Sequence, residues 1–279
     1  MAGLAASCGS SAPAETLAVV ASTNVYGNLV AQIGGAHVTV TSILGAPDAD
    51  PHLFDPGART GLAVATAGLA VQNGAGYDDF MERLERAAPS GRRVVVSVAD
   101  ALGAADGANP HLWYDVPRLP AVARALADGL VAADPSHAAA YRAGLRRLLR
   151  SLAPLEREVA RIRARFAGAP VAYTESVAGY LVGAAGLRNL APPEFTRALE
   201  EGNAPPPAAV LRMEALVRDR RVRVLLYDAQ APSPLTVRLR DAARAAGVAV
   251  VAVTETLPPG RTFEAWQLAQ ARTLERALS

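Results

Sequence analysis

One long helix sets the terms for this chain. From Asp134-Pro135-Ser136 to about Phe166, only Gly144 and Pro154 interrupt an otherwise helix-forming run. Leu145, Leu148, Leu149, Leu152, Leu155, Val159 and Ile162 recur at steps of three and four, which puts them on one stripe of an α-helix, and arginines fill the other face. A helix of ~30 residues is ~45 Å long, enough to cross a whole domain. Strand-like and helix-like segments alternate on both sides of it, so it is expected to act as a rigid spine between two lobes. The expected division is a tether (1–15), an N-terminal lobe (16–133), the linking helix (134–167) and a C-terminal lobe (168–279).

The alternation fixes the fold class. Residues 16–22 form an apolar strand, Asn24 is placed to cap a helix over 25–33, and His37 to Ile43 alternates polar and apolar as a strand with one wet face does. A helix (57–65), a strand (69–72), the glycine turn Asn73-Gly74-Ala75-Gly76-Tyr77, a helix (78–88) and a strand (93–98) follow, then a small-residue loop over 100–107. Beyond the spine the pattern resumes with strands at 170–173, 222–227 and 248–253 and helices at 175–185, 208–220, 234–246 and 262–278, with a loop holding Pro192-Pro193 and Pro205-Pro206-Pro207 after the first of these helices. Such a sequence predicts an α/β protein of two similar lobes, each a mainly parallel sheet flanked by helices. Ligands of these sheets collect at the carboxyl ends of the strands.

Two loops at strand ends share a context. Asp50-Pro51-His52 and Asn109-Pro110-His111 each set a histidine directly after a proline, which stiffens the loop that carries the imidazole. Acids follow the strands of the second lobe: Glu175, Asp228 and Glu255. His52 and His111 with Glu175 and either Glu255 or Asp228 make a nitrogen and oxygen set of four, suited to Zn²⁺, Mn²⁺ or Fe²⁺. The plainer alternative is that loop histidines are surface residues and that these acids cap helices. His37, on the wet face of its strand, and His137, in the first turn of the long helix with its side chain toward solvent, are weaker candidates. Asp115 is placed either to orient His111 through its second ring nitrogen or to cap the next helix. The Asn73 to Gly76 turn only loosely resembles a phosphate cradle, since it lacks the third glycine and a lysine.

Charge and cysteine content narrow the partners. All 28 basic residues are arginine, balanced by 26 acids to a net +2, so there is no basic footprint for nucleic acid. The single cysteine, Cys8, excludes an intrachain disulfide. Leu4-Ala5-Ala6-Ser7-Cys8-Gly9 resembles the end of a bacterial lipoprotein signal, although residues 1–7 supply neither its basic region nor its apolar stretch. No later run reaches the ~18 apolar residues of a membrane span, so membrane attachment is expected only through a lipid on Cys8.

Taken in order, these segments resemble the metal-binding substrate-binding lipoproteins of ABC importers, in the zinc and manganese group whose lobes are joined by a rigid helix. The resemblance runs from about Thr16 to Leu278. Asp50-Pro51-His52, Asn73-Gly74-Ala75-Gly76-Tyr77-Asp78 and Asn109-Pro110-His111-Leu112-Trp113-Tyr114-Asp115 carry it, supported by Asp134-Pro135 before Tyr141, Tyr173-Thr174-Glu175 before Gly179-Tyr180, and Thr254-Glu255-Thr256-Leu257-Pro258. It implies His52, His111, Glu175 and Glu255 as metal ligands. Glu255 stands where the family more often has aspartate, which keeps Asp228 as the neighbouring alternative. The expected role is extracytoplasmic capture of a divalent ion, at the cell surface or in the periplasm, by a monomer that hands it to an ABC permease. Zn²⁺ is favoured, because Glu200 to Pro207 and the Thr254 to Pro258 loop look like an actinobacterial-type zinc-binding branch, and Mn²⁺ is the other cargo. No catalysis is expected; the rival is a zinc-dependent hydrolase with a His/His/Glu site.

Overall fold

The apolar runs become the inner strands of two sheets. A computed structural model describes residues 16–45, 57–105 and 107–279. In it, β1 (Leu17–Thr23) leads into α1 (Asn24–Gly34), and β2 (Val38–Leu44), α2 (Ala58–Thr66), β3 (Leu69–Gln72), α3 (Phe80–Ala87), β4 (Val94–Ser97) and α4 (Val98–Leu102) build the first lobe. Its strands pair in parallel in the order β2-β1-β3-β4. β3 is buried along its whole length, as an inner strand covered on both faces must be, whereas edge strand β2 keeps one wet face.

α5 (Leu119–Ala133) and a 3₁₀ turn (Pro135–His137) deliver the chain to α6 (Ala138–Phe166), the long helix the sequence predicts. The second lobe follows as β5 (Pro170–Tyr173), α7 (Gly179–Ala184), β6 (Arg188–Asn189), α8 (Pro193–Glu200), α9 (Pro207–Arg218), β7 (Val224–Asp228), α10 (Pro234–Ala246), β8 (Ala249–Val253) and α11 (Phe263–Leu278). Its parallel order, β6-β5-β7-β8, is the same permutation as in the first lobe. The chain therefore repeats a topology, and each repeat has its switch point between the first and third strands, where such sheets hold ligands.

α6 is tied to both lobes. Leu148, Leu152, Leu155, Val159 and Ile162 are buried along its inner stripe. Gly144 marks its closest crossing with α1: a Cβ there would stand 2.0 Å from the Ile33 carbonyl oxygen. α1 also reaches the second lobe through a polar row at i, i+4 and i+8. Asn24 Nδ2 donates to Leu257 O (2.8 Å) while its Oδ1 accepts from Leu257 N–H (2.9 Å), Asn28 Oδ1 accepts from Phe263 N–H (2.9 Å), and Gln32 Nε2 donates to Glu264 (3.0 Å).

Four local expectations are corrected. The cap of α1 is Thr23, whose hydroxyl accepts from Tyr26 N–H, and this leaves Asn24 for the cross-lobe bonds. His37 ends a 3₁₀ turn before β2 rather than lying within the strand. Residues 98–102 are helical where the end of the 93–98 strand and the start of the 100–107 loop were expected, capped by Ser97 and closed by left-handed Gly103. The proline-rich loop after α7 holds β6 and α8; Pro193 sits at the first helical position, where a missing N–H costs nothing. No helix among the described residues is long and apolar enough to cross a membrane. Cys8 and the His52 loop lie outside the described residues.

Candidate metal centre

Three carboxylates converge at the ends of three adjacent strands. Glu175 follows β5, Asp228 ends β7 and Glu255 follows β8. All three are buried, and one ligand atom from each lies within 4.8 Å of the others. Backbone-directed bonds hold them there. Asp228 N–H donates to Thr174 Oγ1 (3.1 Å), which locks the β7 end to the residue preceding Glu175. Gln230 N–H donates to Asp228 Oδ1 (2.8 Å), and the Gln230 side chain accepts from Glu255 N–H (2.5 Å) and Thr256 N–H (2.9 Å) while donating to Thr256 Oγ1 (2.7 Å). One glutamine thus stitches the Asp228 turn to the Glu255 loop.

From the first lobe, His111 enters the same pocket, fully buried. Asn109 fixes its ring. The Asn109 amide donates through Nδ2 to Ser176 O (2.8 Å), so its Oδ1 is the acceptor for both His111 N–H (3.0 Å) and His111 Nδ1 (2.7 Å). The proton of the neutral imidazole is therefore on Nδ1, and Nε2 carries a lone pair. That lone pair has no hydrogen-bond partner and stands 3.4 Å from Glu255 Oε2. The loop is braced by Asn73 Nδ2 donating to Pro110 O (2.8 Å) and by Tyr180 of the other lobe donating to Asn109 O (2.9 Å).

Two lone-pair atoms facing each other in a buried pocket repel unless a cation lies between them. The rest of the pocket adds to the demand for positive charge. Burial first, and then the neighbouring charge of Glu255, push the Asp228 carboxyl up to about 7. Tyr77 donates its hydroxyl to Glu255 Oε2 (2.9 Å), and burial followed by the Glu255 charge raises that phenol well above its ordinary value, so it stays a donor.

The structure brings together His111, Glu175, Asp228 and Glu255. Where the sequence offered Glu255 or Asp228 as alternatives, both occupy the pocket. His52 and Cys8 lie outside the described residues. His37 and His137 are elsewhere, stacked on each other at 4.1 Å between ring centroids. His137 does not simply point at solvent: its Nδ1 lies 2.6 Å from Asp134 Oδ2, which also accepts from Tyr141. Asp115 does not orient His111; it pairs with Arg118, and Asn109 has the orienting role. An asparagine two residues before the histidine was a usable local signal for that role. Nothing local pointed to Tyr77 or Gln230, whose partners lie 178 and 25 residues away. The Asn73 to Gly76 turn cradles no phosphate, because Asp78 already occupies its amides, accepting from Asn73 N–H (2.6 Å) and Gly74 N–H (2.8 Å).

The chain matches the family described as zinc-uptake complex component A, periplasmic, over residues 19–277. It is 32% identical over 161 residues to a manganese-binding lipoprotein of Halalkalibacterium halodurans, a match covering 55% of this chain and 53% of that protein. It is 27% identical over 206 residues to a putative metal-binding protein of Treponema pallidum, covering 64% of each. The chain thus spans between about half and two thirds of these relatives. Its fold resembles the periplasmic zinc-binding protein TroA of Treponema pallidum (TM-score 0.81, 19% identity, 95% of this chain and all of that one). It also resembles FpvC of Pseudomonas aeruginosa in complex with Mn²⁺ (TM-score 0.79, 22% identity, 95% and 98% covered). With a family match that spans both lobes and the helix between them, the chain belongs to the family of zinc-uptake complex component A.

Proposed function

We propose that this protein captures a divalent transition-metal ion in the cleft between its lobes and delivers it to the permease of an ABC importer. The ligands are His52 and His111 from the first lobe (16–133) and Glu175 and Glu255 from the second (168–279), with 134–167 as the rigid link. The observation that carries this is the His111 Nε2 lone pair held 3.4 Å from Glu255 Oε2 in a buried, carboxylate-rich pocket. A divalent cation there neutralises the carboxylates and gives the imidazole its partner. The donor set fits Zn²⁺ and Mn²⁺, and relatives named for each metal support either as cargo. The lipoprotein and periplasmic names among those relatives support an extracytoplasmic place. On this reading the chain is tethered there through Cys8 and acts as a monomer. A hydrolase would need an open metal position and a path for its substrate; here the described donors are enclosed between the lobes, and nothing supports catalysis.

The test is isothermal titration of chelator-stripped protein with Zn²⁺ and with Mn²⁺. Saturable 1:1 binding that is lost in a double His52→Ala, His111→Ala variant is expected. Absence of saturable binding of either ion, or binding unchanged in that variant, overturns the proposal.

A further inference from the structure

The near-balance of charge over the whole chain hides a local excess on α6. Between Ala138 and Arg157 the helix carries five arginines, Arg142, Arg146, Arg147, Arg150 and Arg157, against one acid, Glu156. All five are exposed. At ~100° per residue they fall within an arc of ~140°, opposite the stripe of Leu148, Leu152 and Leu155 that is buried against the lobes, and they span ~22 Å of helix. Among the described residues none of the five pairs with an acid. Other exposed arginines do: Arg86 with Glu82, Arg212 with Glu194, Arg218 with Asp219 and, further along the same helix, Arg165 with Glu275. Like charges at i and i+4, as in Arg142, Arg146 and Arg150, destabilise a helix unless something neutralises them. The net charge of +2 less these five leaves the rest of the chain at −3, so the positive excess is gathered on this one outer face.

Where the chain enters the fold says what lies beside that face. Thr16, the first described residue, lines one hollow with Asp134, Ser136 and His137 at the start of α6. Cys8 precedes it by eight positions, so a lipid on Cys8 keeps that end of α6 within ~28 Å of a bilayer even at full stretch. We infer that the arginine face of α6 docks on the anionic headgroups of a membrane, so that the spine lies along the bilayer to which the chain is tethered. The presence of a bilayer rests on the extracytoplasmic, tethered reading above; the arginine face does not. A bilayer surface is flat on this scale and dense in phosphate, so it meets several guanidinium groups at once, and each grips phosphate oxygens in a bidentate fork. An anionic surface favours each arginine near it by about fivefold in partitioning. The tether holds the helix at high local concentration beside the lipid, so a contact of modest strength suffices.

The test is co-sedimentation of the full chain carrying Cys8→Ser, which takes the lipid tether out of the measurement. Vesicles of phosphatidylcholine are compared with an equal mixture of phosphatidylcholine and phosphatidylglycerol. Binding to the anionic vesicles only, weakening as salt is raised, is expected. Arg142→Gln, Arg146→Gln and Arg150→Gln together keep good helix formers in place and lower that binding by ~100-fold. Arg86→Gln, Arg212→Gln and Arg218→Gln together remove the same charge elsewhere and lower it only a few-fold. Circular dichroism melts check that both variants fold. Equal binding to the two kinds of vesicle, equal losses in the two triple variants, or no binding to either vesicle overturns the inference and leaves the tether through Cys8 untouched. Binding to soluble heparin as tight as to the anionic vesicles also overturns it, because the partner is then a dissolved polyanion.

Discussion

His111 of the first lobe and Glu255 of the second meet with Nε2 and Oε2 3.4 Å apart, without a hydrogen bond between them. His111 is fixed from its own lobe by Asn109, and Glu255 by the Gln230 contact to its backbone from its own lobe and the Tyr77 contact to its carboxylate from the other. His111→Ala removes the one imidazole that enters this pocket among the described residues. Metal affinity is expected to fall by ~100-fold or more, at least the upper end of the cost of outer-shell losses. Competition with a fluorescent chelator measures this.

Tyr77 makes a cross-lobe bond to the same carboxylate oxygen, so Tyr77→Phe tests orientation without changing a ligand. Losing a hydrogen bond to a charged acceptor costs ~1.5–3 kcal/mol. Urea unfolding of the metal-free variant reads that loss. Metal affinity is expected to fall ~10- to 100-fold, as for other groups that steer a ligand, with the dissociation rate carrying most of the change.

The pH dependence follows from Asp228, held at about 7 in the folded chain against 3.8 as its ordinary value. A folded value above the unfolded one means that the contribution is fully present below about pH 4 and is lost as pH rises through about 7. Chelated parent protein should therefore lose stability relative to Asp228→Asn between about pH 4.5 and about pH 8, by up to ~1.4 kcal/mol per pH unit. Denaturant melts of the two proteins at both pH values give the difference. Bound metal reverses the sign, because ligands must shed protons to bind, so affinity rises over the same range.

At Gly144, α6 comes against the backbone of α1, and a methyl there would stand 2.0 Å from Ile33 O. Gly144→Ala raises helix propensity yet forces the helices apart, and overpacking of this kind costs ~1–3 kcal/mol. Denaturant unfolding is expected to show that loss, with metal affinity reduced because the lobes shift. A stabilised variant would show that the crossing is looser than this contact implies.

The lobes and the spine were legible because their signals are local. Burial of Leu148, Leu152, Leu155 and Val159 on one stripe is recorded in spacing alone, as is the strand character of residues 69–72. The carboxylates were legible as acids after strands, since parallel sheets bring their strand ends to one edge. What the spacing did not record was which polar partner each amide would choose. Asn24 read as a cap, yet its bonds go to Leu257, and Asp115 read either as the orienter of His111, a role that Asn109 fills, or as a cap of the next helix, and it does precede the helical turn at Val116–Arg118. Short polar side chains satisfy near and distant partners equally well, and only the packed lobes decide between them. The stretch with Pro192-Pro193 and Pro205-Pro206-Pro207 failed differently: it read as a loop, yet Pro193 and Pro207 each begin a helix.

The polar row on α1 joins the beginning of the chain to its last elements. Asn24, Asn28 and Gln32 bond to residues 232 to 235 positions away, at the entrance to α11. During synthesis those partners emerge more than 230 residues after α1, so the outer face of α1 stays unsatisfied until the second lobe has been made. The first lobe can assemble early around its own sheet, but the closed cleft cannot form until α11 arrives.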